Sequence, residues 1–259
     1  RGVRLIRVPS TVLAQNDAGV GVKNGVNLFG SKNFAGTFTP PAAVFNDSSL
    51  LRTLHPRDAR SGIAEAVKVA VIRDASFFDY LFSNRFLLRA LEAGVTEEMI
   101  FRCADLHLRH IRGGDPFEIS SARPLDFGHW AAHRMEELTG GELRHGEGVA
   151  VGIALDSLYA VQRGMLTAEE ADSIILLLRD CGLPVSHPAL RSLDVGRALE
   201  DFRRHLGGRT TITLPAGIGR SIDVHGIDVP VMRKCIMLLL EGNTRDCLGE
   251  FRRPTALIA

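Results

Sequence analysis

The sequence changes character near residue 55, and that change limits the folds open to it. Before it, Gly19, Gly21, Gly25, Gly30 and Gly36 punctuate short β-prone runs, so residues 1–54 read as strand, turn and loop. After it, apolar residues recur at helical spacing, and Ser61 to Ala75 has no glycine or proline beyond Gly62. Thr167-Ala-Glu-Glu170 is a capping box that opens a helix from Ala168 to Cys181, with Gly182 and Pro184 closing it. Asp194 is placed to cap Val195 to Leu206, ahead of Gly207 and Gly208. Asp228 is placed to cap Val229 to about Glu241, with Pro230 in the first turn. Thr210 to Leu214 is a short β-prone run, and no internal repeat is present. The expected architecture is the tail of an α/β domain over residues 1–54 joined to a mostly helical domain over 55–259.

A net charge of +1 gives no field that would recruit nucleic acid or an anionic membrane. The longest apolar stretches, such as Cys235 to Leu240, are too short to span a bilayer. Arg1 to Pro9 alternates like a strand and lacks the apolar core of a secretory signal. Cys103, Cys181, Cys235 and Cys247 are widely spaced, with no CxxC pair, and read as buried reduced thiols in a cytoplasmic protein. The start on a strand, without a leading turn, suggests a piece of a longer protein.

Three clusters could carry chemistry. His129 and His133 are four apart and share one helix face, an obvious pair of imidazole metal ligands, although for an isolated pair two satisfied helix histidines are the favoured reading. His145 precedes the apolar run Gly148 to Leu158, so it sits near a helix N-terminus, where the dipole should keep it neutral and fit to bind a metal. Spacing alone does not choose a third donor. Glu65 and Lys68 share a face of the apolar helix Ile63 to Ile72. They are either a simple helix ion pair or a ligand beside a substrate-binding cation. The segment from Asn16 to Asn33 combines glycines with Lys23 and Lys32, and is either a solvated hairpin or a ligand-contacting loop. It is neither a GxGxxG fingerprint nor a P-loop.

In their order, Ser10 to Asp17, Gly21-Val-Lys23, Lys32-Asn33, Gly62-Ile-Ala-Glu65-Ala-Val-Lys68, Phe127-Gly-His129, His133 and His145-Gly-Glu147 resemble the 3-dehydroquinate synthase superfamily, the sugar phosphate cyclases. The resemblance covers most of the chain. It implies the end of a Rossmann-like NAD domain followed by a mostly helical metal-binding domain. A divalent metal, zinc with cobalt as the alternative, would be held by Glu65, His129 and His145, so that His133 faces substrate instead. Asp17, Lys23, Asn33, Lys68, His133 and Asp126 would contact substrate. Ser10, Thr11, Lys23, Lys32, Leu50 and Thr53 would contact NAD. Arg123, Arg203 and Arg204 would take the substrate phosphate, joined by Arg1 reaching in from a neighbouring subunit of a homodimer. The family's glycine-rich NAD turn is absent from these residues, so a truncated, non-catalytic remnant is one alternative.

The activity implied is a redox-neutral cyclisation. NAD removes a hydride from a secondary alcohol, phosphate leaves by elimination beside the new ketone, the hydride returns, the sugar ring opens, and an intramolecular aldol closes a carbocycle. Departures from dehydroquinate synthases gather around the substrate. His107 stands where they have lysine, Asp126 where they have asparagine, and Phe202-Arg203-Arg204 in the region of their Asp-Lys-Lys, while Arg123 is displaced by one position and followed by Pro124. Two charges about 4 Å apart interact by roughly 4 kcal/mol at an effective dielectric near 20, enough to change substrate class. A ketose phosphate without a carboxylate, sedoheptulose 7-phosphate, is therefore expected, giving a valiolone-type cyclitol. The alternative is 3-dehydroquinate synthase itself. The valiolone-type branch that has a proline after the FGH turn is not matched, because His133 is kept. Glycerol-1-phosphate dehydrogenases begin their metal motif with Asp, unlike the Glu65 helix.

Overall fold

The computed structural model describes residues 4–22, 25–28, 31–36, 39–113, 126–205 and 211–242. The first part holds little regular structure. Strand β1 (Ile6–Arg7) pairs in parallel with β4 (Ala43–Val44), and between them β2 (Gly25–Leu28) and β3 (Ser31–Gly36) form an antiparallel hairpin. The hairpin reading of this segment therefore holds for the backbone. Two helical pieces were not expected there. Ala14–Ala18 is a π-helical turn, in which the Gly19 amide donates to Ala14 O, five residues back, at 2.7 Å. Ser48–Thr53 is a 3-10 turn capped by Asp47, whose side chain accepts from Ser49 N at 2.9 Å.

Beyond residue 55 the described residues lie mostly in helices. In order these are α1 (Pro56–Ser61), α2 (Ile63–Arg73), α3 (Ala75–Ser83), α4 (Arg85–Arg89), α5 (Ala93–Arg112), α6 (His129–Leu138), α7 (His145–Gln162), α8 (Ala168–Asp180), α9 (Val195–His205) and α10 (Val229–Glu241). The antiparallel pair β5 (Ile212–Pro215) and β6 (Ser221–Val224) lies before α10. The single helix expected over Ser61 to Ala75 is instead broken at both ends. Gly62 begins α2 because a Cβ there would lie 2.5 Å from Leu13 N, so only glycine lets the 11–18 segment press against it. Asp74 ends α2 in an extended conformation and caps α3 by accepting from Phe77 N. The three caps read from the sequence form: Thr167 with Glu170, Asp194 accepting from Arg197 N at 3.1 Å, and Asp228 accepting from Val231 N at 3.2 Å. Cys103, Cys181 and Cys235 are buried free thiols, and Cys247 lies outside the described residues.

Helix α7 is the axis of the core. Its residues from Gly148 to Ala160 are all buried, and it packs against α2, α6, α8, α10 and β5. An all-round apolar helix must lie inside, and its neighbours supply the amphipathic faces that cover it. Helix α2 is equally enclosed, with every residue from Ile63 to Ile72 buried, Glu65 and Lys68 included. No helix among the described residues is long and apolar enough to cross a membrane.

Candidate metal centre

Burying Glu65 and Lys68 fully, at 0% and 1% exposure, is costly unless their charges are matched and used. Lys68 Nζ contacts Glu65 Oε2 and lies 3.6 Å from Asp17 Oδ2, so the π-helical turn brings a second carboxylate onto the same ammonium. Burial works against the Lys68 charge, but Asp17 and Glu65 together raise its pKa above the ordinary lysine value. His107 Nδ1, on α5, meets Asp17 Oδ1 at 2.8 Å, and His107 is itself 3% exposed. Gly21 makes room for that ring, since a Cβ there would lie 3.1 Å from its Cε1.

The other Glu65 oxygen faces two imidazoles. His129 Nε2 lies 3.6 Å and His145 Nε2 3.4 Å from Oε1, which makes no well-formed hydrogen bond. One carboxylate oxygen and two imidazole nitrogens, all within 4.8 Å of one another, are a donor set able to hold a metal ion. Two histidines and a glutamate leave the fourth tetrahedral position open, as in catalytic zinc sites. The carboxylate is anionic as such a site needs. Burial pushes the Glu65 carboxyl up, but Lys68, His129 and His145 hold it well below the usual range.

Both rings are turned the same way. His129 Nδ1 bonds Phe127 O at 3.0 Å and His145 Nδ1 bonds Glu136 Oε1 at 2.6 Å, which leaves each Nε2 aimed at Glu65. Such bonds on the far nitrogen fix the tautomer and direction of metal-ligating histidines. Glycines make the convergence possible. Gly128 sits at φ +76° and starts α6, and a Cβ on Gly152 of α7 would fall 1.9 Å from Gly128 O. A Cβ on Gly146 would fall 1.9 Å from Ser61 O, while the Gly146 amide donates to Ser61 Oγ at 3.0 Å. Backbone therefore touches backbone at the three junctions that carry Glu65, His129 and His145.

The expectation that a helix N-terminus keeps His145 neutral is overturned. His145 is the first residue of α7, but although burial pushes its pKa down, Glu136 and Glu65 raise it to about 9. Two adjacent full charges outweigh the partial charge of a helix end. Glu147 of the HGE motif is turned away, paired with Arg57 at 2.6 Å and closing the turn onto Arg144 N.

His133 stands beside the donors, its ring centre 5.5 Å from that of His129, 6.1 Å from that of His145 and 6.4 Å from that of Phe202. Asp126 is buried just before the turn. Thr11 Oγ1 accepts from Ala14 N and opens the 11–18 segment. Ser10, Leu50 and Thr53 lie at or near the surface of the first part. Arg203 is forked onto Glu200, at 2.8 and 2.7 Å, and Arg204 turns to Glu200 and Asp201, so both are engaged by their own helix. Arg1, Lys23 and Arg123, and the side chains of Lys32 and Asn33, lie outside what the structure describes. Glu136 was missed by the sequence reading, although it follows His129 and His133 at the i, i+4, i+7 spacing of one helix face.

Comparison with known proteins agrees with this geometry. A family model for the C-terminal part of 3-dehydroquinate synthase matches residues 62–205, and one for the N-terminal part matches residues 1–61. The chain belongs to the 3-dehydroquinate synthase family. Within that family it is 36% identical over 244 residues to a 2-epi-valiolone synthase of Actinosynnema mirum, covering 92% of this chain and 64% of the relative. It is also 36% identical over 225 residues to a 3-dehydroquinate synthase of Alkaliphilus metalliredigens, covering 86% and 63%. The chain thus spans just under two thirds of the length of these relatives. The solved structure of a 2-epi-5-epi-valiolone synthase from Streptomyces hygroscopicus subsp. jinggangensis, with NAD+ and Zn2+ bound, superposes with a TM-score of 0.85 at 32% identity. That match covers 92% of this chain and 67% of the other.

Proposed function

We propose that this chain is the metal- and substrate-binding part of an NAD-dependent sugar phosphate cyclase, a phosphate-eliminating carbon–oxygen lyase. Its substrate is a ketose phosphate, sedoheptulose 7-phosphate, closed to a valiolone-type cyclitol. The observation that carries the reading is the convergence of Glu65, His129 and His145 beside the Lys68–Asp17–His107 network. Residues 1–54 are the end of the NAD-binding α/β unit, and residues 55–259 form the metal- and substrate-binding unit. Zinc, or cobalt in its place, supplies Lewis acidity to a substrate hydroxyl, and NAD supplies the reversible hydride transfer.

The chain's own residues bind and orient. Lys68 stays charged between two carboxylates and would donate to substrate oxygens, Asp17 is fixed by His107, and His133, beside the rings of His129 and His145, would contact a substrate hydroxyl. Asp126, Lys23 and Asn33 complete the sugar contacts. Ser10, Thr11, Lys23, Lys32, Leu50 and Thr53 would contact NAD, as the family resemblance implies. Arg1, Arg123, Arg203 and Arg204 serve the phosphate, for which Arg203 and Arg204 exchange Glu200. The homodimer rests on the family resemblance, and the cytoplasmic setting on the spacing of the cysteines.

The choice of a ketose phosphate over a carboxylate-bearing one is supported by two buried substitutions. Asp126 and His107 are both buried, so a change of side chain at either acts through protein rather than water. An aspartate accepts hydrogen bonds from sugar hydroxyls and repels a carboxylate. Competition kinetics on the product of the full coding sequence, with NAD and zinc and phosphate release as the readout, test this. A higher kcat/KM for sedoheptulose 7-phosphate is expected, and Asp126→Asn with His107→Lys should move preference toward the acidic seven-carbon substrate. A higher kcat/KM for that acid in the unaltered enzyme makes 3-dehydroquinate synthase the right reading.

A further inference from the structure

Asp156 lies in the middle of α7, fully buried, outside the donor set. Its two oxygens accept from two neutral donors. Oδ2 takes the Gly128 amide at 3.0 Å and Oδ1 takes the Trp130 indole Nε1 at 2.9 Å. Those donors belong to the residues immediately before and after His129. We propose that Asp156 is a positioning residue of the metal centre, clamping Gly128 and Trp130 so that the imidazole between them presents Nε2 to Glu65.

Burying a carboxylate against neutral donors is unfavourable, and an apolar side chain would otherwise serve the core better. Burial pushes the Asp156 carboxyl up to about 7, against the pull of Trp130 and Gly128. What the site gains is a fixed turn. The Gly128 amide, at a left-handed φ of +76°, belongs to a helix start and has no partner inside α6. Trp130 is 1% exposed, and a buried indole N–H requires an acceptor. Gly152 and Asp156 are four apart on one face of α7, so one turn of helix supplies both the gap that admits Gly128 O and the acceptor that holds Gly128 N. Losing the clamp frees the turn that aims His129, with its ring bond to Phe127 O as the remaining restraint.

The inference rests on the metal reading proposed above, and the test separates the two. In Asp156→Asn the amide nitrogen must face one of the two donors, so one hydrogen bond becomes a clash of N–H groups. Competition with a chromogenic chelator should show zinc binding by the full chain weakened about tenfold or more. Trp130→Phe combined with Asp156→Asn removes the opposed indole N–H and should recover part of that loss, up to the level of Trp130→Phe alone. If Asp156→Asn alone does not fold, this double variant and Trp130→Phe carry the comparison, the latter expected several-fold weaker. Zinc affinity within about twofold of the parent in Asp156→Asn, whatever happens to its melting temperature, reduces Asp156 to packing and overturns the inference. A double variant no tighter than the single one overturns the two-armed pairing. An unaltered chain that binds no zinc at micromolar concentration removes the metal reading itself.

Discussion

His145 carries a carboxylate on each ring nitrogen's side, Glu136 and Glu65, and this sets its response to pH. With its pKa raised to about 9, the chelated chain holds a proton on the nitrogen that a metal needs. Zinc affinity should therefore rise as pH increases toward 9, by up to about tenfold per unit, and then level off. Glu136→Gln should lower that plateau point, which a pH series of zinc titrations reads directly. The sign for stability is opposite. A histidine whose folded pKa exceeds its unfolded value stabilises the metal-free chain fully below about 6.5, and that contribution fades as pH passes through 9. His129→Ala should abolish zinc retention through gel filtration while His133→Ala leaves most of it, because the donor atoms that meet belong to His129, His145 and Glu65. Equal loss in both variants would restore the HxxxH pair. At this scale the sequence nominated the residue types well. It could not tell which ring nitrogen would face which oxygen, nor that Glu136 would override a helix dipole.

The helices that carry these residues meet through glycines, so the elements are sensitive where ordinary helices are tolerant. Gly152→Ala puts a methyl group 1.9 Å from Gly128 O and should cost about 1–3 kcal/mol or more, with α6 displaced from α7. Gly140→Ala is the control. It has a left-handed φ of +60° but open space around it, so only backbone strain of about 1–2 kcal/mol is expected. Denaturant midpoints for the two variants, with zinc affinity measured alongside, separate the effects: Gly152→Ala should weaken zinc and Gly140→Ala should not. Thr167→Ala removes one half of a capping box remote from the donors and should cost about 1 kcal/mol without touching the metal. Caps were readable from the sequence because a cap is local, written in four consecutive residues. The breaks at Gly62 and Asp74 were not, because they depend on what α2 packs against.

For the whole molecule, exposed apolar side chains occur in both parts, but those of the first part flank a sheet edge. Ile6, Val8 and Phe45 are 58%, 59% and 60% exposed around a two-stranded pair whose outer edge has no partner among the described residues. An uncovered strand edge with apolar flanks promotes association. The 259-residue chain should therefore sediment as more than a monomer at micromolar concentration, and Ile6→Lys with Val8→Lys should reduce that. A monomeric parent would contradict it. The sequence by itself determined the mostly helical character of the described residues after 55, the caps of α8, α9 and α10 and the apolar runs that become α2 and α7. Each follows from apolar spacing or from side chains contacting backbone a few residues away. Only the tertiary structure decided that Asp17, Lys68 and Glu65 share one buried charge network, that both imidazoles turn Nε2 toward one carboxylate oxygen, and that Asp156 spans His129. Those contacts join residues tens of positions apart, and their geometry is set by how closely glycine lets one helix approach another, a distance no local pattern encodes.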